Sequence, residues 1–360
     1  MSAVGSSDEL HRFEGYIREA WSGLGDARRI VGIAELSAMV STNHVYRLEL
    51  DDHTAVIAKV SSYGSYFLFT EDHDRLHRLN LLLRGTRFEH LLADTMSVPG
   101  HDKLYTYYNG EVWAVFYDEV ERRDRLPRVL NDGQVANLAE EIAGFHRQCA
   151  ELAPNIPTTS TSIKSDAIAL YDQLNHVHAP EQFELEPTDI AVLRRHVHHF
   201  LVQLGELDYD DMAKIPVLLD WNLGNFSVDT DPVSGRFSLF SRWDYDWFRI
   251  DTRMLDFYFL SRVSSQTGDR TAFTYGSHTL LEPRFVHFLR SYHAVFALSE
   301  NEVLFLKESY RFFILNYVIR SGGHFFRVDF WRRFQREAVM NYLPELDTVD
   351  LRPLVDAVLG

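Results

Sequence analysis

The chain has 360 residues, 46% of them hydrophobic and 13% aromatic, and its 36 Lys and Arg against 52 Asp and Glu leave a formal net charge of −16. That is apolar material for a large core in two or three compact units, and the acidic balance argues against nucleic acid, whose binding needs cations clustered on phosphates. The sequence has no basic start followed by an apolar core, no run of eighteen apolar residues, and Cys149 as its single cysteine. A cytoplasmic protein with no membrane span, no internal disulfide and no cysteine zinc site is the expectation.

Ser6-Ser7-Asp8-Glu9 has the pattern of a capping box, and Leu10, Phe13, Ile17 and Trp21 then recur at helical spacing. Three β-prone runs follow over residues 29–36, 45–50 and 54–60, the last two linked tightly by Asp51-Asp52-His53. The loop between the first two carries Ser41, Thr42 and Asn43, whose hydroxyls and amides can donate to phosphate oxygens. Strand alternation puts Ile57 and Lys59 on one face, an apolar wall beside an ammonium. A helix is expected from Thr70 as N-cap, with Glu71, Asp72 and Asp74 in its first turn. One of these acids should pair with Lys59: Glu71 by its reach, with Asp72 and Asp74 left open by helical phase. Residues 103–108, Asn109-Gly110 and residues 111–117 read as a hairpin with a type I′ turn, which completes a five-stranded antiparallel sheet. The charged stretch from Arg122 to Pro127 reads as a connector and sets a boundary near Glu121, with units at 1–120 and 121–360.

From Asp132 the period turns helical, with Val135, Leu138, Ile142, Phe145 and Cys149 on one face. Helices are expected at 163–174 and 188–204, the second carrying His196, His198 and His199, read as a solvated face in preference to a metal site. Val217-Leu218-Leu219 is a short apolar run that ends in Asp220; five residues later Asn225 opens Phe226-Ser227-Val228. A turn rich in Asp, Pro, Ser and Gly over 229–235 leads to a third run, 237–240, and then to Asp244 and Asp246. A hairpin would gather Asp220, Asn225 and Asp244. Phosphoryl transfer calls for that set: one carboxylate to position a hydroxyl, and an amide oxygen with a second carboxylate as hard ligands for Mg²⁺. Asp256 opens a helix, and further helices are expected at 283–293, at 299–319 behind the capping box Ser299-Glu300-Asn301-Glu302, and at 330–342.

An Asp-x4-Asn loop between two strands, followed by a strand ending in Asp, resembles the catalytic core of the aminoglycoside phosphotransferase and choline kinase-like small-molecule kinases, relatives of protein kinases. The resemblance implies an α+β, bilobal, protein kinase-like fold. It would have an N-lobe of a five-stranded antiparallel sheet plus helix, and a mostly helical C-lobe with a catalytic β-hairpin. It implies an enzyme that uses ATP and Mg²⁺ to phosphorylate a hydroxyl of a small polar metabolite or antibiotic. By position, Asp220 resembles the catalytic base, Asn225 and Asp244 the metal ligands, and Lys59 with Glu71 the pair at the phosphates. Residues 41–43 would be the flap, Ile57 the adenine wall, and the segment with Tyr117, Glu119 and Val120 the hinge. Asp256 resembles an acid that braces the catalytic loop from below, and His146 a structural histidine. Leu218-Leu219 stands where the family has His-Gly. A nucleotide-binding pseudokinase is a second reading, motivated by that departure and by the glycine-free flap. A metal-dependent glycosyltransferase using Asp244-Tyr245-Asp246 is a third, and it would need a doubly wound α/β domain. Trp221, Asn222, Tyr245, Asp246 and Trp247 are candidate acceptor contacts, and with the charge of −16 they favour an amino alcohol or amino sugar over an anion.

Overall fold

A computed structural model describes residues 6–37, 43–269, 275–324 and 326–360, with side chains from Phe13 onward. The chain divides into two compact units, Met1–Glu121 with Ser241–Asp246, and Arg122–Phe240 with Trp247–Gly360.

The first unit holds α1 (Ser6–Leu24), the strands β1 (Ile30–Glu35), β2 (His44–Leu50) and β3 (Ala55–Ser61), then α2 (Tyr66–Leu83), β4 (Tyr107–Tyr108) and β5 (Trp113–Asp118). The strands form one antiparallel sheet in the order β1-β2-β3-β5-β4. Alternation along β3 explains how the sheet has two different faces. Val56, Ala58 and Val60 are fully buried in one cluster with Phe13, Ile17 and Trp21 of α1. Ile57 and Lys59 therefore point to the other face, where Ile57 pairs across to Tyr117 and Lys59 to Val115 of β5.

Two local expectations change here. The helix α2 begins at Tyr66, capped by Ser65, whose hydroxyl accepts from Leu68 N at 3.4 Å, and not at Thr70. Gly64 at φ +85° supplies the turn that lets the cap form earlier, so Glu71, Asp72 and Asp74 lie past the first turn. The β4–β5 hairpin also avoids the type I′ turn, because Asn109 is not at positive φ. Its side chain instead accepts from Glu111 N at 3.0 Å and Val112 N at 2.8 Å, and the strands pair at Tyr108↔Trp113 around a longer loop.

The second unit is mostly helical: α3 (Asp132–Leu152), α4 (Ile163–Asn175), α5 (Ala179–Phe183), α6 (Pro187–Glu206), α7 (Phe257–Val263), α8 (Pro283–Val295), α9 (Glu300–Phe313), α10 (Val328–Glu337), α11 (Leu343–Thr348) and α12 (Arg352–Leu359). Asn131 and Gln134 close a capping box on α3, and Ser299 and Glu302 close one on α9. The chain winds on from α9 as a π-helix, Ile314–Arg320. Between α6 and α7 run β6 (Lys214–Val217), β7 (Phe226–Thr230), β8 (Phe237–Arg242) and β9 (Arg249–Thr252); β6 pairs with β9 and β7 with β8. Among the described residues no helix is long and apolar enough to cross a membrane.

Candidate active site

In the second unit Asp220 sits on a loop that leaves β6 and is pinned from beneath. Leu219, the residue before it, takes φ +55°, a left-handed angle that costs a branched side chain about 1 kcal/mol or more. Two tight turns follow, Asp220 N to Leu218 O and Trp221 N to Leu219 O, both at 2.8 Å. Asp256, with no exposed surface, holds this bend from both sides: Oδ1 accepts from Leu219 N at 2.7 Å and Oδ2 from the Trp221 indole N–H at 2.7 Å. The buried His146 bonds the same Oδ2 through Nε2 at 2.8 Å and meets the Tyr292 hydroxyl through Nδ1 at 2.8 Å. Farther along, Leu223 N donates to Asp269 Oδ2 at 2.8 Å, and Asn225 Nδ2 donates to Asp220 O at 3.4 Å. The two ends of the Asp-x4-Asn stretch are thereby tied to each other.

This arrangement takes Trp221 away from any acceptor. The ring has no exposed surface, lies 6.1 Å from Phe145 and 5.7 Å from Phe226, and its one polar atom is used by Asp256. It is a core residue of the loop's support. Asn222 is half-buried, and its amide closes an Asx turn on Asp220 Oδ1 at 3.2 Å. Trp247, also half-buried, packs on Tyr317 at 4.8 Å between ring centroids, with Phe313 and Phe259 behind it. Near it, Arg249 at the start of β9 and Arg320 at the end of the π-helix share the Asp166 carboxylate, at 2.7 and 2.8 Å.

The first unit carries Lys59, Asp244 and Asp246. The Lys59 ammonium, on a residue only 4% exposed, is ion-paired with Asp246. The acid found on Lys59 is thus Asp246 and not the expected Glu71, which pairs with Arg75 one turn along α2 at 3.5 Å. On α2, burial first and the Lys59 charge second lower the pKa of His73. Asp244 stands at φ +75°, an angle that Asp tolerates better than most residues, with Oδ1 accepting from Asp246 N at 3.3 Å. Crowding by protein raises the Asp244 carboxyl above the usual carboxylate range, and the Asp246 charge raises it further. Two hard carboxylates one residue apart suit a divalent cation. Among the described residues no group of three His, Cys, Asp or Glu is arranged to hold a metal ion.

Tyr245 is turned away from an acceptor as well. It is 7% exposed, its hydroxyl accepts from Ala93 N at 2.8 Å and donates to Arg242 O, and its ring lies 5.9 Å from Tyr117. Of the hinge segment, Tyr117 is buried, and Glu119 holds Arg47 through both oxygens at 2.7 and 3.0 Å. Val120 is half-buried, and Asn43 directly precedes β2. Ser41 and Thr42 lie outside the described residues. His196 does not lie on the solvated face expected of its cluster: it is 1% exposed and its Nδ1 accepts from Arg311 at 2.7 Å, while His198 is exposed. Several supporting residues carried no sequence signal of their own: His73, Asp269, and the buried Asn137 and Glu141 of α3. Only the pairing of polar residues with helical core positions could have pointed to the last two.

The sequence matches no protein-family model and no curated protein. Among solved structures, amicoumacin kinase hAmiN in complex with AMP-PNP, Ca²⁺ and Ami shares the fold at TM-score 0.63 and 14% identity, over 94% of this chain and 97% of that one. A microcompartment-associated aminopropanol kinase gives 0.56 and 15%, over 96% and 99%. The GDP and kanamycin complex of APH(2")-IIia gives 0.56 and 14%, over 90% and 97%. The fold is that of the kinase-like small-molecule kinases, as the Asp220 to Asp244 pattern implied. The antiparallel sheet also removes the glycosyltransferase reading, which needs a doubly wound one.

Proposed function

We propose that the chain is an ATP- and Mg²⁺-dependent phosphotransferase acting on a hydroxyl of a small polar molecule. The observation that carries this is the Asp220 loop, a strained bend whose backbone is fixed by the buried Asp256. Strain of this kind is retained where a side chain must be held in one place. Asp220 takes the acceptor hydroxyl's proton, and Asn225 and Asp244 offer an amide oxygen and a carboxylate to the metal. Lys59 faces the phosphates, Ile57 walls the adenine, and the backbone of Tyr117, Glu119 and Val120 pairs with its edge. Bound Mg²⁺ neutralises charge on the phosphates and draws the leaving oxygen's electrons.

An amino alcohol or amino sugar is the acceptor class we favour. The net charge of −16 attracts cations, and among Trp221, Tyr245 and Trp247 it is Trp247 that is half-buried and keeps exposed surface, the other two being buried. Solved proteins of the same fold include an aminopropanol kinase and a complex with kanamycin.

The test is ATP consumption over a panel of hydroxylated metabolites, with product masses measured. Asp220→Asn should lower kcat by about 10²-fold while nucleotide affinity stays within a few-fold, as for loss of a general base. Asp244→Ala should abolish the Mg²⁺-dependent thermal stabilisation by nucleotide. Equal turnover in wild type and Asp220→Asn removes the base assignment. A well-folded protein that binds Mg·ATP and turns over nothing, yet gains activity on Leu218→His, supports the pseudokinase.

A further inference from the structure

His73 is 5% exposed on the side of α2 that feels Lys59, and its Nε2 is buried with no hydrogen-bond partner. The other ring nitrogen lies 2.7 Å from Phe69 O; a carbonyl only accepts, so Nδ1 carries the proton and Nε2 is a bare lone pair. Burial first, and the Lys59 charge second, hold the ring's pKa down to about 3, so it is neutral in any working buffer. The ring lies 6.0 Å from that of Tyr117, which pairs across to Ile57 on the sheet face that carries Lys59. The Tyr117 hydroxyl is likewise buried without a partner. A buried acceptor left without a partner calls for an explanation. In this state the Lys59 ammonium is directed to Asp246.

We propose that His73 is a positioning residue for Lys59: when Asp246 turns to a divalent metal, the ammonium donates to His73 Nε2 and stays aimed at the nucleotide phosphates. This rests on the phosphotransferase reading. Chemistry gives the neutral ring an advantage over the acid that was expected on α2. A carboxylate would orient the ammonium and also neutralise it, whereas an imidazole lone pair fixes its direction and leaves the whole charge for the phosphates. Glu71 is two residues from His73, about 200° around the helix, and it faces Arg75.

The experiment measures Mg·AMP-PNP affinity by calorimetry for wild type, His73→Leu and His73→Gln, together with the ¹⁵N resonance of His73 Nε2 with and without Mg·AMP-PNP. His73→Leu should weaken binding about tenfold, the value of a hydrogen bond to a charged group. His73→Gln, which keeps an acceptor, should stay within about threefold. The Nε2 resonance should leave its free lone-pair position on saturation. A Leu variant that binds like wild type, or a wild-type Nε2 resonance that does not move at saturation, overturns the role of His73. The resonance is read on the native chain, so it decides the matter even where the Leu variant fails to fold. A wild type that does not bind Mg·AMP-PNP overturns the phosphotransferase reading itself.

Discussion

Leu219 shows how much one residue can carry. Two of its properties oppose each other: φ +55° favours glycine, and 2% exposure favours a large apolar side chain. Replacing it with Gly relieves about 1 kcal/mol of backbone strain but removes a buried leucine, at about 2–5 kcal/mol. Packing should win, and Leu219→Gly should be less stable by about 1–4 kcal/mol in urea unfolding while Asp256 still receives the 219 amide. A Gly variant more stable than wild type would show that strain dominates. The sequence displays Leu218-Leu219 in place of His-Gly, but it does not display the backbone angle that gives the exchange its meaning. The same limit applies to the aromatics. Trp221, Tyr245 and Trp247 look equivalent as letters, and what separates them is where an indole N–H or a phenol oxygen finds its partner: Asp256 for Trp221, Ala93 and Arg242 for Tyr245.

Elements add constraints that no single position reveals. Buried Asn137 donates from Nδ2 to Phe237 O at 2.9 Å and accepts from Phe237 N at 2.8 Å, while Glu141 accepts from Leu239 N at 3.1 Å. Four helix residues rise about 6 Å and two strand residues about 6.8 Å, so side chains four apart on α3 match backbone groups two apart on β8. The helix thus stands in for a neighbouring strand along the start of β8, whose far end leads to Asp244. Asn137→Leu would leave both the Phe237 amide and carbonyl buried and unpaired, a loss of about 2–4 kcal/mol. Urea unfolding of that variant measures it, and a loss under about 0.5 kcal/mol would mean that water or backbone movement replaces the clamp. Periodicity made α3 legible because its apolar face repeats at 3.6. Its two polar clamps were not legible, since a polar residue at a core position reads as noise until its partner is known. The start of α2 failed for a related reason: Ser65 and Thr70 are both good caps, and only Gly64 at φ +85° tells which one the chain uses.

At the scale of the whole molecule, the order of strands and helices could be read from pattern, because alternation, turn residues and spacing are local. Charge pairing could not be read, because it is set by tertiary approach. Lys59 with Asp246, and Asp166 between Arg249 and Arg320, join residues far apart in sequence. The same holds for a property shared by both compact units, a buried neutral histidine. In the first unit His73 is held down to a pKa of about 3, mainly by burial. In the second, burial and then Arg311 hold His196 down to about 4, and Arg311 donates to its Nδ1. Each folded-state value lies below the unfolded value of about 6.5, so the unfolded chain binds more protons at acidic pH. The contribution of each histidine is complete above pH about 6.5 and is lost as pH falls from there toward the folded values, reaching about 2 kcal/mol per histidine near pH 5. The urea midpoint should therefore drop between pH 7.5 and pH 5, and His73→Gln or His196→Gln, which cannot take up a proton, should each reduce that drop. A drop of the same size in both variants as in wild type would mean that the two rings charge in place, with solvent reaching them before either unit unfolds.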